Sequence, residues 1–303
     1  MRYATADAFR KALEQRIRTL AGAHSPAIQR LRKRVTFERF LARLQNLPDS
    51  PWFLKGAFAL ELRLGNRART TRDLDLGIDL TPSANLPPTK QQVAELLQEV
   101  QASSLEDYFE FVVEEGEEIL PDQEVRAYRF NVKAYVAERL FESFVLDVGT
   151  MIPLVVPPDE IDGSGILDFS GVPPRRFRTV SLSQQVAEKV QALTFPWKDR
   201  ENTRVKDLVD LVLILEVCPP NPKTTRSAVE AVFSGRATHP LPISLPHPPA
   251  SWANSYAVIA KDLTLTHTTI ADATRTSSVN IGRRSFPEVP TWRGARKKLN
   301  KCL

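Results

Sequence analysis

The stretch RTTRDLDLGID, residues 69–79, carries the clearest structural pattern in this 303-residue chain. From Asp73 onward polar and apolar residues alternate strictly, which predicts a strand with one buried face. The opposite face would carry three carboxylates, those of Asp73, Asp75 and Asp79. Neighbouring residues on one face lie about 7 Å apart at Cα, so two carboxylates can share one hard cation such as Mg²⁺. The alternative interpretation is an ordinary strand with a solvated acidic face.

The segment just before this strand predicts a site for an anion. In WFLKGAFALELRL, residues 52–64, a strand-like run meets a turn at Lys55 and Gly56 and continues as a helix. Backbone N–H groups at a helix N-terminus point toward bound anions such as phosphate. A turn of this kind, followed 17 residues later by paired carboxylates, could hold a nucleoside triphosphate from both ends.

A third carboxylate stands in FVLDVG, residues 144–149. Alternation places Asp147 on the face opposite to Phe144, Leu146 and Val148. Transfer chemistry with two metal ions needs the attacking hydroxyl held near the second ion. Asp147 could do this if its strand lies beside residues 73–76, and otherwise it is an ordinary surface aspartate.

A lysine falls on an apolar helix face. In SLSQQVAEKVQAL, residues 181–193, Lys189 lies within the apolar stripe, where an ammonium needs an anionic partner. The following VKDLVDLVLILEV, residues 205–217, is almost wholly apolar apart from a few charges that include Asp207 and Asp210. We expect one of these aspartates to pair with Lys189, which would then contact a triphosphate. The alternative is a structural salt bridge between two helices.

Composition sets broader limits. The net charge is +5 and the pI about 9.2, which allows an anionic partner without requiring one. Two isolated cysteines and the scattered histidines suggest neither a disulfide framework nor a metal cluster, and a reducing, cytoplasmic setting without a membrane span fits best. Basic residues cluster in RLRKR, residues 30–34, and in the tail at Arg283, Arg284, Arg293, Arg296, Lys297, Lys298 and Lys301. Each cluster could be merely a solvated surface.

The elements suggest an α+β protein. Helical periodicity covers residues 5–47, 89–104, 181–193, 205–217 and 251–263, and further strand candidates lie at 108–115, 127–136 and 141–149. Residues 153–174 are predicted as a loop and the proline-rich 239–250 as an irregular connector. We predict an N-terminal helical region over 1–50, a mixed core over 51–180 and a C-terminal helical domain with a basic tail over 181–303.

Several ordered motifs resemble the AbiEii/AbiGii family of nucleotidyltransferase toxins. KGAFALELRLGNRARTTRDLDL matches a pattern of turn, helix and R-x-T-x-D-[IL]-D, which falls here on Arg69, Thr71, Asp73 and Asp75. FVLDVGT looks like a later strand of the family. SLSQQVAEKVQALTFPWKDRENTRVKDLVDL looks like its paired motifs A-E-K-x-x-A-L and R-x-K-D-L-x-D-L. The resemblance covers roughly residues 7–217, with a looser similarity in SWANSYAVIAKDL, residues 251–263.

The resemblance implies a DNA-polymerase-β-like nucleotidyltransferase core, with a mixed or antiparallel sheet and added helical regions at both ends. It implies a toxin of a bacterial toxin–antitoxin or phage abortive-infection system, with a cognate antitoxin. Some members add nucleotides to the 3′ acceptor end of tRNA and so block translation. The expected substrates are therefore an NTP and RNA, with Mg²⁺ as cofactor.

The resemblance also assigns roles by position. Asp73 and Asp75 would bind Mg²⁺, with Asp147 as third carboxylate, and Asp79 lies outside the motif. Lys189 would contact the triphosphate, and Asp210 would be its essential acidic partner. The remaining nucleotide-binding candidates are Lys55, Gly56, Ala57, Thr71 and Asp207. Ala57 departs from the family, which usually has a second glycine or small polar residue there, although its backbone N–H is kept.

Three functions remain open from the sequence. The leading hypothesis is transfer of a nucleoside monophosphate to RNA, with the tRNA 3′ end as the expected acceptor. The second keeps the enzyme but makes a protein hydroxyl the acceptor. The third is a catalytically silent module that binds RNA or an antitoxin. The sequence does not specify the NTP, the acceptor species or the oligomeric state.

Overall fold

The structure is a computed structural model that describes residues 1–22, 24–47, 49–79, 87–119, 127–150, 153–197 and 201–282. Its contacts divide the chain into two compact units. The first comprises Met1–Leu62, Thr70–Ile152 and Asp159–Thr179, and the second comprises Arg63–Arg69, Pro153–Pro158 and Val180–Leu303. The N-terminal helices therefore belong to the same unit as the sheet.

Two N-terminal helices occupy most of the region predicted as helical. Helix α1 spans Ala6–Ala21 and α2 spans Ser25–Leu44. The Thr5 side chain accepts a hydrogen bond from the Ala8 N–H at the start of α1, which satisfies one of the donors that a helix N-terminus leaves unpaired. The buried face of α1 repeats at a spacing of four residues through Phe9, Leu13 and Ile17.

The first unit is built around a mixed sheet. Its strands are β1 (Trp52–Lys55), β2 (Asp73–Ile78), β3 (Phe109–Val113), β4 (Glu117–Glu118), β5 (Ala127–Val136), β6 (Arg139–Gly149), β7 (Asp159–Asp162) and β8 (Arg176–Thr179). The order is β3-β5-β6-β2-β1-β8-β7, with β4 beside β5. The β2–β6 and β1–β8 pairs are parallel, and the other pairs are antiparallel. The predicted α+β class with a mixed sheet is confirmed.

Alternation along the strands separates a buried face from a polar face. Leu74 and Leu76 of β2 are fully buried, as the sequence predicts. On the same side, the Phe144 ring of β6 meets the rings of Phe37 and Phe40 of α2 at centroid distances of 5.0 and 5.5 Å. Burial of large apolar side chains fixes the register, because a slip of one residue would turn every side chain over. The carboxylates of β2 are thereby held on the opposite face.

Two further helices and two 3₁₀ turns complete the described elements of the chain up to residue 179. They are α3 (Gly56–Leu64), the 3₁₀ turns Gly65–Arg67 and Gly165–Ser170, and α4 (Lys90–Ala102). The prediction of a single loop over residues 153–174 is wrong, because β7 and the second 3₁₀ turn lie within it. Strand β7 is only four residues long and pairs with β8 rather than burying an apolar face of its own, so its sequence gives no clear alternation.

The second unit is helical. It contains α5 (Leu182–Thr194), α6 (Val205–Val217), α7 (Pro222–Arg236), α8 (Trp252–Asp262) and α9 (Ile270–Gly282). Helix α6 packs against α5, α8 and α9, which explains why its sequence is apolar on nearly every side. Residues 239–250 have no regular structure, as predicted. Of the helices in the described part of the chain, none has the length and apolar character needed to cross a bilayer.

Candidate active site

The turn between β1 and α3 brings the backbone against a carboxylate. Gly56 has a φ of +68°, in the left-handed region that favours glycine. A Cβ at this position would lie 2.0 Å from Oδ2 and 2.6 Å from Cγ of Asp75. Glycine is therefore required at position 56 for two reasons, the backbone conformation and the space that the Asp75 carboxylate occupies.

A row of four charged residues crosses the polar face of the sheet. In register, Lys55 of β1 lies opposite Asp75 of β2, and Asp75 lies opposite Asp147 of β6. Asp147 lies in turn opposite Arg129 of β5. Paired residues on neighbouring strands point to the same side of a sheet. The row thus places two carboxylates side by side with one cationic residue at each end, and β6 is the neighbour of β2 that a role for Asp147 requires.

Asp73 lies two residues before Asp75 on the same face of β2, opposite Val145 of β6. The neighbouring Thr71 hydroxyl donates a hydrogen bond to the Asp73 carbonyl at 3.2 Å. Thr71, predicted to contact the nucleotide, thus closes the turn that leads into β2. Asp79, which lies outside the family motif, forms an ion pair with Arg178 of β8.

Arg129 binds Asp147 through two parallel hydrogen bonds. Nε donates to Oδ1 and Nη2 to Oδ2, each at 2.8 Å, which is the bidentate geometry typical of arginine and a carboxylate. The hydrogen bond to Asp147 raises the pKa of Arg129 above its ordinary value, and the negative charges of Asp147 and Asp73 act in the same direction. Sequence reasoning missed this contact, although strand alternation placed Arg129 on the polar face.

The residues of β2 suit a magnesium ion. Asp73 and Asp75 offer hard oxygen donors at alternate positions, and Mg²⁺ is usually bound by one or two carboxylates together with substrate phosphates. Among the described residues, however, no three His, Cys, Asp or Glu side chains are arranged to hold a metal ion. Asp147 has both oxygens hydrogen-bonded to Arg129. The donor set thus fits Mg²⁺ through the two carboxylates of β2, while the third carboxylate is hydrogen-bonded to Arg129.

The second unit contains the predicted lysine cluster. Lys189 Nζ donates to Oδ1 of Asp207 at 2.8 Å and to Oδ2 of Asp210 at 2.7 Å, so both candidate aspartates pair with it. Burial acts to lower the pKa of the Lys189 ammonium, but the two carboxylates outweigh this effect and raise it above its ordinary value. Lys189 therefore stays cationic throughout the physiological pH range.

Arg69 completes this cluster. Its Nε and Nη2 donate to the two oxygens of Asp210, each at 2.9 Å. Asp210 is fully buried, so two cations compensate a carboxylate that would otherwise be costly to bury. Burial would raise the pKa of the neighbouring Asp207, but Lys189 holds it below its ordinary value. Arg69 is the first residue of the family motif, but the motif alone does not indicate which residue it contacts.

The second unit also has a cavity of about 390 Å³. Its lining includes the rings of Phe195, Trp197 and Trp252 and the polar side chains of Asn202 and Thr194. The Phe195 and Trp197 rings meet at a centroid distance of 5.0 Å. The cavity therefore combines flat aromatic surfaces with a few hydrogen-bonding groups.

A comparison with protein families now bears on this arrangement. The model of the family described as nucleotidyl transferase AbiEii toxin, type IV toxin–antitoxin system, matches residues 39–288. The chain belongs to the AbiEii nucleotidyltransferase toxin family. The match covers most of the chain and continues past residue 217, through the stretch 251–263 where the sequence motifs showed only a looser similarity. The predicted family is confirmed for this AbiEii-family protein.

Two solved structures are similar to this chain. The nucleotidyltransferase toxin MenT4 of Mycobacterium tuberculosis matches with a TM-score of 0.53 and 18% identity, over 88% of this chain and 93% of that chain. A candidate nucleotidyltransferase from H. pylori matches with a TM-score of 0.44 and 17% identity, over 82% and 92% of the two chains. At such low identity the MenT4 match supports the fold alone. Among curated proteins no match is found.

Proposed function

We propose that this AbiEii-family protein is a magnesium-dependent enzyme that transfers a nucleoside monophosphate from an NTP to RNA. The proposed acceptor is the 3′ end of tRNA, whose modification would block translation. The observation that carries the proposal is the polar face of β2, where Asp75 lies against the Gly56 turn and directly opposite Asp147. Membership of the family makes transfer chemistry the first use to test for these carboxylates.

In the proposed reaction, the acceptor hydroxyl oxygen bonds to the α-phosphorus of the NTP. The bond from that phosphorus to the bridging oxygen breaks, and pyrophosphate leaves. Bound Mg²⁺ would neutralise negative charge on the phosphate oxygens and favour ionisation of the attacking hydroxyl. Asp73 and Asp75 would hold the ion, and Asp147 would join them as the third carboxylate and accept the hydroxyl proton.

The phosphates have candidate partners at the start of α3. Gly56 and Ala57 form the first turn of this helix, where the partial positive charge of a helix N-terminus favours a bound anion. Lys55 stands at the end of the charged row and adds a positive charge. A side-chain hydroxyl is missing at Ala57, so the backbone would have to supply the contact there.

Lys189 is proposed to neutralise charge on the triphosphate rather than to transfer protons. Its raised pKa keeps it protonated, which suits an electrostatic role and excludes that of a general base at neutral pH. Asp207 and Asp210 would fix the direction of the ammonium, and Arg69 would fix Asp210. This assigns the second unit a supporting part in nucleotide binding.

Two features favour a nucleic acid as the acceptor. The partly exposed rings of Phe195 and Trp197 in the cavity are of the kind on which unpaired RNA bases stack. The basic C-terminal tail can contact phosphates without regard to sequence. We also expect a cognate antitoxin as partner, because the family is described as a type IV toxin–antitoxin system.

The proposal is tested with the purified protein, Mg²⁺, each labelled NTP in turn and total tRNA, after which RNA and protein fractions are separated. We expect label in tRNA, and loss of that label in Asp73→Asn and Asp75→Asn. Omission of Mg²⁺ should also abolish labelling. If both variants still label RNA, the proposed site is wrong.

The same experiment distinguishes the other two functions. Label confined to a protein fraction would make a protein hydroxyl the acceptor. An absence of label with any NTP, together with RNA binding that Asp73→Asn and Asp75→Asn leave unchanged, would indicate a silent binding module. Digestion of labelled tRNA from its 3′ end then shows whether the nucleotide was added at that end.

A further inference from the structure

Arg129 is hydrogen-bonded to Asp147, the carboxylate that would accept the hydroxyl proton in the proposed reaction. Both oxygens of Asp147 accept hydrogen bonds from this guanidinium at 2.8 Å. The Arg129 side chain is 41% exposed and that of Asp147 20% exposed. The pair therefore lies at the surface of the polar face, where the guanidinium has room to move.

The fold does not depend on this ion pair. Strands β5 and β6 are held by a backbone ladder that runs from Ala127 opposite Gly149 to Val136 opposite Arg139. A half-exposed ion pair adds little to the stability of such a ladder, because water screens its charges. The stability of the sheet therefore does not explain the contact between Arg129 and Asp147.

A bound cation and Arg129 would compete for the same charge. Both hydrogen bonds from Arg129 go to Asp147, which lies directly opposite Asp75, so the guanidinium lies beside the acidic site. A divalent ion on these carboxylates would repel the neighbouring guanidinium strongly. Cation binding and the Arg129–Asp147 contact therefore oppose each other.

We propose that Arg129 is a positioning residue that holds Asp147 until a divalent cation binds and displaces the guanidinium. The third carboxylate then joins the site only together with the metal. This arrangement prevents two adjacent carboxylates, Asp75 and Asp147, from repelling each other before the metal arrives. The inference rests on the proposed metal-dependent function.

The test measures Mn²⁺ binding to the full-length protein without nucleotide, from the electron paramagnetic resonance signal of unbound Mn²⁺. The variants are Arg129→Gln, Arg129→Lys, Asp147→Asn and the double variant Arg129→Gln/Asp147→Asn. Lys133→Gln is the matched control, because Lys133 lies on the same face of β5 with 42% exposure but pairs with Glu114. Melting curves confirm that each variant is folded.

We expect Arg129→Gln to bind Mn²⁺ roughly ten-fold more tightly than the wild type, the scale on which groups around metal ligands act. Arg129→Lys keeps the charge but loses the paired hydrogen bonds, so its affinity should fall between these two. Asp147→Asn should bind more weakly, and adding Arg129→Gln to it should change little. Lys133→Gln should match the wild type.

Three results would overturn the inference. They are an unchanged or weaker affinity in Arg129→Gln, a wild-type affinity in Arg129→Lys, and an equal gain from Arg129→Gln with or without Asp147. Failure of the proposed function looks different, because Asp73→Asn and Asp75→Asn would then bind Mn²⁺ as well as the wild type. If neither the wild type nor Arg129→Gln binds Mn²⁺ at millimolar concentration, both ideas are wrong.

Discussion

Gly56 shows how one missing side chain makes room for the carboxylate of Asp75. We predict that Gly56→Ala loses most transfer activity, because its methyl group would displace the Asp75 carboxylate 2.0 Å away. The measurement is labelling of RNA alongside the melting temperature. Gly22→Ala is the matched control: it has a similar φ of +60°, and nothing lies within 4 Å of the added methyl.

Both glycine variants pay for the left-handed backbone conformation, by about 1 kcal/mol or somewhat more. Their melting temperatures should therefore fall by amounts that differ less than their activities do. Wild-type activity in Gly56→Ala would show that Asp75 can move without consequence, and would remove the steric argument for this turn.

Lys189 allows a prediction about stability. Replacing it by methionine leaves Asp207 and Asp210 without the cation that lies 2.8 and 2.7 Å from them. Breaking a buried pair on one side costs about 3–5 kcal/mol. We expect a loss of this order in the free energy of unfolding at pH 7, measured by urea denaturation, and little change in the exposed control Lys206→Met on the neighbouring helix.

The pH dependence of this loss has a definite sign. In the wild type the pKa of Asp207 is lowered, so its contribution to stability is present above its ordinary pKa and is lost as the pH falls through the lower value of the folded state. Without Lys189, burial should raise this pKa, so that protonation favours the folded state. The loss in Lys189→Met should therefore be smaller at pH 5 than at pH 7, and an equal loss at both would contradict the assigned cause.

Single residues were predictable where a local pattern determines them. Asp73, Asp75, Gly56 and Lys189 stand out because alternation, a turn or a helical stripe makes each conspicuous. Their partners were not predictable in the same way. Arg69 lies 141 residues from Asp210 in the chain, and the contact of Arg129 with Asp147 depends on a strand register that only the folded sheet defines.

At the scale of elements, the amphipathic pieces were the predictable ones. The period-two pattern of β2 and β5 and the apolar helices α5 and α6 follow from burial on known faces. The strands β7 and β8 were missed because each has only four residues, and β8 is joined to the rest of the sheet through the distant strand β1. Helices α7 and α9 were missed because the polar residues within these short segments obscure the helical spacing of their apolar residues.

Helix α2 is fixed to the loop before β3 by a buried ion cluster. The Asp107 side chain is fully buried and accepts hydrogen bonds from Arg39 and Arg43, the latter at 2.6 Å from Oδ1. Burial would raise the pKa of Asp107, but the two guanidiniums hold it below its ordinary value. We predict that Asp107→Asn lowers the free energy of unfolding by about 3–5 kcal/mol, because two buried cations lose their counter-charge.

Chemical denaturation of this variant checks the prediction, with Asp162→Asn as control. Asp162 also pairs with an arginine, Arg176, at 3.1 Å, but both side chains are mostly exposed. The control should unfold like the wild type, because exposed pairs are screened by water. Equal effects of the two substitutions would mean that burial does not set the cost.

At the scale of the whole molecule, the two basic clusters differ in how their charge is balanced. Within residues 30–34 each basic side chain has an acidic partner in the first unit: Arg30 with Glu61, Arg32 with Glu14, Lys33 with Glu142, and Arg34 with Glu38. This run therefore contributes to the packing of α2. The tail from residue 283 has seven basic residues against one acidic residue, a surplus larger than the net charge of +5.

The excess positive charge of the chain therefore resides in the tail, and the tail should carry the electrostatic part of RNA binding. We predict that glutamine at Arg293, Arg296, Lys297, Lys298 and Lys301 weakens tRNA binding and flattens its dependence on salt. Each lost phosphate contact should lower the slope of log affinity against log salt by about 0.7 for single-stranded RNA. Filter binding at several salt concentrations gives this slope.

Glutamine at Arg30, Arg32, Lys33 and Arg34 should instead lower stability and leave the slope near that of the wild type, since those charges already have partners. The reverse pattern would place the RNA contacts on α2.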